Sequence, residues 1–486
     1  MQQLSMTDAF MLASENDKQR LQMASVSILA APRKGQKPLT RQVLRDLVAK
    51  RVHLAPALLR KLVPVPLGID NPYWIEDDAL DLDYHVRAVG LPSPGGYDEL
   101  SELVADLVIQ PFDHARPLWQ LYLVEGLTNG RLAIVFKLHH ANVDGISGIE
   151  LHSMLFDPTP KARKITPPTK PIGEATPTAG NMLVRGLKSL PTQMGAVLKG
   201  AKSLPYLTEL MPFRTMPGVG TIAKLARLGR PDGEKMLLDG AKLVAPKTAM
   251  DAPVASARRH WAFTSVPLAD AKRIKDRFGA SVNDVVVATM AGVARDLLLD
   301  LKALPDKPLV ALVPVSVRSE QDGSGGNLVQ VMMIELPTND AKPEQRLRRT
   351  HEALRSAKER HGAVPATAMQ SANGLLMPAL FVSSSQAVAA VTKLMGVSKG
   401  PASTISNLVV SNVPGSPMPV YVAGRQVEGL YPFGGVVEGF GYSTIVFSYC
   451  GNLTLGFTVA DGTPADPWRI AELYEHHHRE LLALAS

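Results

Sequence analysis

Leu138-His139-His140-Ala141-Asn142-Val143-Asp144-Gly145 is the stretch on which the reading of this chain turns. It closes the segment Arg131 to His140, where Leu132, Ile134, Phe136 and Leu138 recur at the two-residue period of a β-strand. If the strand persists to its end, His140 lies on the apolar face and His139 lies opposite, beside Lys137. Asp144-Gly145 then turns the chain into a helix through Ile146, Ile149 and Met154, with Asp144 placed to cap it. A strand-end histidine pair has three readings: satisfied interior side chains, metal ligands, or a base for proton transfer at neutral pH. Metal fits worst. Adjacent strand residues point to opposite faces, and no cysteine or carboxylate stands at a spacing like His-Glu-x-x-His.

Working outward, Leu4 to Leu12 reads as a short helix capped by Ser5 or Thr7, and Met23 to Leu29 as a strand. Thr40 starts a helix with Leu44, Leu47 and Val48 on one side. Tyr73 to Val89 is strand-like, including an apolar alternation over Asp81 to Val86, and Tyr97 to Ile109 is an amphipathic helix. A turn at Arg116-Pro117-Leu118-Trp119 leads to the strand Gln120 to Glu125, and Thr128-Asn129-Gly130 makes a hairpin into the histidine strand.

Phe156 to Pro171 is a Pro-rich, basic linker. Between Lys161 and Arg230 stand twelve Lys/Arg against Glu174 and Glu209, so this segment carries +10 of a formal +7, leaving −3 for the rest. Leu183, Leu187, Leu190, Met194, Val197 and Leu198 are spread among its lysines, and Pro191 and Pro205 interrupt them. Short basic amphipathic helices are expected there, either crossing between domains or lying on an anionic lipid surface. Tyr206 and Phe213 are its only aromatics, too few to stack bases, so no nucleic-acid partner is expected.

A second domain begins near Arg258. Ser281-Val282-Asn283-Asp284 is a capping box opening a buried helix. Asn283 is then either a plain first-turn residue or an amide that, with the helix's positive end, faces an acyl carbonyl or a donor's phosphates. Leu309 to Arg318 is a buried strand, and a paired Asp144 needs a cation, for which Arg318 is the candidate. Ser411-Asn412-Val413-Pro414-Gly415 reads as a turn after a strand, Tyr442 to Ala460 as a hairpin, and Asp466-Pro467-Trp468 as the cap of a closing helix. His476-His477-His478 falls on what reads as a surface helix, where neighbours diverge, and is given no site.

The whole chain, 486 residues and 45% apolar, suits two mixed α/β domains. The boundaries expected are 1–160, a basic Pro-rich linker at 161–257, and 258–486. One cysteine, Cys450, excludes an intramolecular disulfide, and Glu15, Asp17, Lys18 and Arg20 stand where a signal peptide is apolar; a cytoplasmic location is expected. His361 to Thr392 lacks Lys, Arg, Asp and Glu, but Gln370, Asn373 and Ser383 to Gln386 interrupt it and Pro365 and Pro378 break it, so it is read as cavity lining, not a membrane span. There is no Gly-x-Ser-x-Gly, and Gly323 to Gly326 lacks the Lys-Ser/Thr of a phosphate loop.

The set of motifs resembles the bacterial wax ester synthase/acyl-CoA:diacylglycerol acyltransferases, most closely the mycobacterial triacylglycerol synthases. It runs in that family's order through Leu4-Ser5 to Leu12, Pro117-Leu118-Trp119, His139-His140 through Asp144-Gly145, Asn283-Asp284, Gly326-Asn327 and Ser411 to Gly415. His-His-x-x-x-Asp-Gly alone is shared with condensation domains; Pro-Leu-Trp and Asn-Asp make the set specific. The resemblance implies two chloramphenicol-acetyltransferase-like domains with a tunnel between them. It implies His140 as general base with His139 in support, no covalent acyl-enzyme, no metal, and no cofactor beyond acyl-CoA as co-substrate. Asp144 is assigned to the scaffold, and Asn283, Asp284, Ser411 and Asn412 to substrate binding. The expected product is triacylglycerol from diacylglycerol, made at the inner membrane face or at lipid inclusions. Wax ester synthesis from a fatty alcohol is the alternative, ahead of a condensation-type enzyme using carrier-bound acyl groups or a non-catalytic lipid-droplet protein.

Overall fold

The computed structural model describes residues 1–142, 154–167, 173–201, 245–251, 254–316, 329–362, 406–436 and 440–486. Two mixed six-stranded sheets organise them. The first has the order β12-β13-β2-β7-β6-β5, with β2 (Gln22–Leu29), β5 (Val86–Gly90), β6 (Trp119–Glu125) and β7 (Leu132–His139) from the first part of the chain. β12 (Tyr421–Val422) and β13 (Arg425–Phe433) complete its edge from far along the sequence, β13 pairing antiparallel with β2. The second sheet has the order β10-β9-β11-β14-β15-β8, made of β8 (Arg259–Pro267), β9 (Leu309–Ser316), β10 (Val329–Leu336), β11 (Leu408–Val413), β14 (Tyr442–Tyr449) and β15 (Asn452–Ala460). A small sheet joins β1 (Gln2–Gln3), β4 (Tyr73–Glu76) and β3 (Arg60–Val63).

Strand β7 is central, between β2 and β6, and buried on both faces. Its even residues Ile134, Phe136 and Leu138 pack with Leu44 and Val48 of α2 (Arg41–Arg51) and with Trp119. Its odd residues Ala133 and Val135 pack with Leu100, Val104 and Val108 of α4 (Tyr97–Ile109) and with Trp261 and Phe263 of β8. Fully burying each such side chain is worth about 1.5–3 kcal/mol. Trp119 is wholly buried; its indole Nε1 donates to Leu58 O at 2.7 Å and its ring stacks on His85 with centroids 4.3 Å apart.

The second sheet is backed by α6 (Leu268–Phe278), α7 (Val282–Asp300), α8 (Pro343–Gly362) and α9 (Pro467–Leu484). Helix α7 is apolar all round and buries Asp284 through Ala294 without a break, which suits a helix enclosed by others. Gly292 has no room for a side chain, because an added Cβ would sit 2.6 Å from His477 Cγ. The hairpin β14–β15 turns at Cys450 and Gly451, both with positive φ, as a two-residue hairpin requires.

The two halves meet along β13. Trp261 Nε1 donates to Pro432 O at 3.0 Å, and Gly456 lies so close to that carbonyl that any Cβ would collide with it. A division at 257/258 therefore takes in, on its C-terminal side, a hairpin that pairs with the N-terminal sheet. Long-range pairing of this kind leaves no local trace in sequence.

Three local expectations change. Asp81 to Val86 is not continuous strand: Asp81 Oδ1 accepts from the amides of Asp83 and Tyr84 and caps the one-turn helix α3 (Leu82–His85) before β5 begins. Pro191 does not break its helix, since α5 (Ala179–Ala201) runs through it. The segment Phe156 to Pro171 starts anchored: Asp157, 1% exposed, accepts from Arg51 Nη2 at 2.8 and 2.9 Å and from Arg163 Nε at 3.1 Å, and its backbone bridges Tyr421. Removing one partner of so buried a pair costs about 3–5 kcal/mol. The uncharged stretch His361 to Thr392 lies outside the described residues from 363 onward, and among those described no helix is long and apolar enough to cross a membrane.

Candidate active site

The strand β7 stops at His139, and His140 begins a single helical turn, His140–Asn142. The period-two argument therefore does not extend to His140. Gln22, the first residue of β2, pairs with His139, and Leu21 stands next in register, opposite His140. The His140 amide still donates to Leu21 O at 2.9 Å, but the Leu21 amide turns to Glu15 Oε1 at 2.8 Å instead of returning the bond, and the ladder ends there. His140 is half-buried, whereas His139 and Lys137 are fully enclosed.

His139 is held at three points. Its amide donates to Leu118 O at 3.1 Å, its Nδ1 accepts from the Ala141 amide at 3.1 Å, and its Nε2 lies 3.3 Å from Glu15 Oε1. An Nδ1 that accepts carries no proton, so the assigned tautomer is Nε2–H, facing the carboxylate. Glu15, 8% exposed, follows α1 (Met6–Ser14), whose N-terminus is capped by Ser5 Oγ and which packs against the His140–Asn142 turn. Burial alone pushes the Glu15 carboxyl up, but hydrogen bonding from His139 and the Leu21 amide, with the two nearby imidazoles of His139 and His114, holds it below the usual carboxylate range. Lys137, on the same face as His139, donates to Gln110 O and lies 4.5 Å from the Phe112 ring centre. Burial draws its pKa down to about 7.

Three motifs that are far apart in sequence thus meet at the histidines. The Leu4 to Leu12 helix leads to Glu15, and Pro117-Leu118-Trp119 supplies both a carbonyl for His139 and a core anchor. Glu15 went unread as a site residue; its sequence signal is only a charge just past an amphipathic helix.

The remaining candidates are spread over the second half. The capping box forms as expected, Ser281 Oγ accepting from Asp284 N at 3.1 Å and Asp284 Oδ2 from Ser281 N at 2.7 Å. That carboxylate oxygen also lies 2.7 Å from His351 Nδ1, tying α7 to α8. Asn283, beside it, is half-buried. Ser411 and Asn412 are within β11, paired with Ile445 and Val446 of β14, so the turn starts later than expected. Asp144, Gly145, Arg318 and Gly326-Asn327 lie outside the described residues, and so does the pairing of Asp144 with Arg318.

The family model for the wax ester synthase/diacylglycerol acyltransferase catalytic domain matches residues 4–286, and that for the WS/DGAT C-terminal domain matches residues 325–481. The chain belongs to the wax ester synthase/diacylglycerol acyltransferase family. Two Mycobacterium tuberculosis proteins whose names assign them diacylglycerol O-acyltransferase activity, Rv1760 and Rv3087, are 32% and 30% identical to it. They match across 99% and 100% of this chain and 90% and 98% of their own. The solved wax ester synthase/diacylglycerol acyltransferase from Marinobacter aquaeolei is 25% identical, with a TM-score of 0.69 and both chains covered completely. A first condensation domain of the calcium-dependent antibiotic synthetase shares the fold, with a TM-score of 0.54 at 15% identity, covering 100% of this chain and 96% of that one. This acyltransferase therefore has the two-domain, condensation-domain-like architecture that its motifs implied.

Proposed function

We propose that this acyltransferase moves a long-chain acyl group from CoA to the free hydroxyl of a diacylglycerol, giving triacylglycerol and CoA, with His140 as general base. His140 removes the hydroxyl proton while the oxygen forms its bond to the thioester carbonyl carbon. The C–S bond then breaks, and the protonated imidazole returns the proton to the leaving thiolate. Asn283 at the start of α7 is the candidate contact to the donor, with Ser411 and Asn412 further candidates for substrate binding; Asp284 is given to the cap and to His351. What carries the reading is the histidine turn, built from three of the family's motifs, in a chain matched end to end by proteins named for diacylglycerol acylation. Wax ester formation would use the same chemistry. The test offers purified protein one acyl-CoA with diacylglycerol and a long-chain alcohol together: triacylglycerol as main product is expected, and wax ester as main product overturns the choice of acceptor.

The lipid surface is assigned to α5. Its inward side buries Met182 against Val63, Val65, Tyr73 and Ile75, presses Gly186 against Val65 and Ile69, and turns Ser189 and Gln193 to donate to Asp70. Other apolar residues face out, Val184 at 51% exposure and Leu187 at 53%, beside exposed Arg185 and Lys188. Leucines outward among cations fit an anionic bilayer or inclusion surface. Vesicle binding that rises with anionic lipid and falls in Leu187→Ser supports this; binding indifferent to both contradicts it.

A further inference from the structure

The two peptide units on either side of the His140 α-carbon are both held, and both restraints lead back to one oxygen. Glu15 Oε1 accepts from the Leu21 amide at 2.8 Å, and the Leu21 carbonyl accepts from the His140 amide at 2.9 Å. The same Oε1 faces His139 Nε2 at 3.3 Å, and His139 Nδ1 accepts from the Ala141 amide at 3.1 Å. Fixing the amides of residues 140 and 141 fixes φ and ψ of His140. The second arm also depends on tautomer. His139 accepts from Ala141 only while its proton is on Nε2, the state a carboxylate at Nε2 favours.

We infer that Glu15 is the positioning residue of this active site: it sets the direction of the His140 side chain through Leu21 on one side and through His139 on the other. This inference rests on His140 being the base. Glu15 is 8% exposed and its contacts run to the Leu21 amide, His139 and His114, so its effect is on orientation, where about 1 Å of misplacement costs about 100-fold in rate. The groups around the carboxylate are His139 and Lys137 from β7, His114 from the segment before β6, and Arg20 from its own loop. These four are bases, and a second carboxylate, Asp113, acts on His114.

Glu15→Ala and Glu15→Gln separate the two parts of this role. Glutamine keeps an acceptor at Oε1 and loses the charge; alanine loses both. Expected is a drop of about 100-fold in kcat for Glu15→Ala with KM for acyl-CoA within about twofold, and recovery to within about fivefold of wild type in Glu15→Gln. Glu15→Gln also moves the acid limb of the kcat/KM profile down by a few tenths of a pH unit, because a nearby carboxylate favours the imidazolium form. If Glu15→Ala does not fold, that limb shift in Glu15→Gln decides the matter. Wild-type kcat in folded Glu15→Ala, a loss confined to KM, or an unmoved acid limb in Glu15→Gln overturns the inference. His140→Ala is run beside them. An active His140→Ala removes the functional reading and this inference together, whereas an inactive one beside an unimpaired Glu15→Ala removes only this inference.

Discussion

Two histidine clusters, one in each half of the chain, have surroundings that give them opposite characters. At the end of β7, His139 meets a backbone amide on one nitrogen and a carboxylate on the other, and it restrains the neighbour that follows it. In the middle of α9, His477 has carboxylates at both nitrogens, Glu480 at 2.8 Å and Asp296 at 3.0 Å, with Arg346 at 3.3 Å. A ring held from both sides within a helix, packed against Gly292, is fixed as a strut. A ring at a strand terminus can steer a turn. Residue type is shared; the backbone element beneath it makes the difference.

The comparison breaks most readily at His139. In His139→Ala, loss of the Ala141 restraint and of the partner to buried Glu15 is expected to lower kcat about 100-fold, as Glu15→Ala does. The double variant should be no worse than either single, because both act through one path; additive losses measured in a double-mutant cycle would dissolve the shared route. His477→Ala should do the reverse. It removes buried polar bonds and leaves a cavity, costing about 2–3 kcal/mol in denaturant unfolding while kcat per folded molecule stays at the wild-type value. Impaired kcat in that variant would show that the C-terminal cluster reaches the site.

A smaller effect belongs to Lys137, which shares the His139 face. Its folded pKa, about 7, lies below that of the unfolded chain, so between these values the unfolded state binds more protons and stability rises with pH. The slope from this group is at most about 1.4 kcal/mol per pH unit, beginning near pH 7. Lys137→Met should flatten it and match or exceed wild-type stability at pH 7, since an apolar side chain of similar length removes the cost of a buried charge. A Lys137→Met protein that keeps the full rise places its source elsewhere.

The sequence carried the locally encoded parts well. Tyr97 to Ile109 begins and ends where its apolar spacing does, and the Ser281 box closes as its residue types demand, because both depend on neighbours within four positions. What failed depended on distant partners. His140 leaves the strand where Leu21, opposite it, gives its amide to Glu15 and not to the ladder, a fact of register between segments more than a hundred residues apart. Strand β13 completes the N-terminal sheet from residue 425 onward, and no local pattern marks that exchange. The histidine run was misjudged in the same way: His477 and His478 are 4% and 2% exposed, not on the surface, because α9 is covered by α7 and α8. Glu15 was invisible for want of its partners, His139 and Leu21, one of them reached only through the fold.

The central claim is that His140 takes the proton of the acceptor hydroxyl, and the pH–rate profile of His140→Ala tests it most directly. Wild type should show an acid limb in kcat/KM with a histidine-like pKa of about 6–7. His140→Ala should lose that limb and about 1,000-fold in kcat while melting within a few degrees of wild type. A folded His140→Ala protein that turns over within about tenfold of wild type, with the same acid limb, would contradict the account.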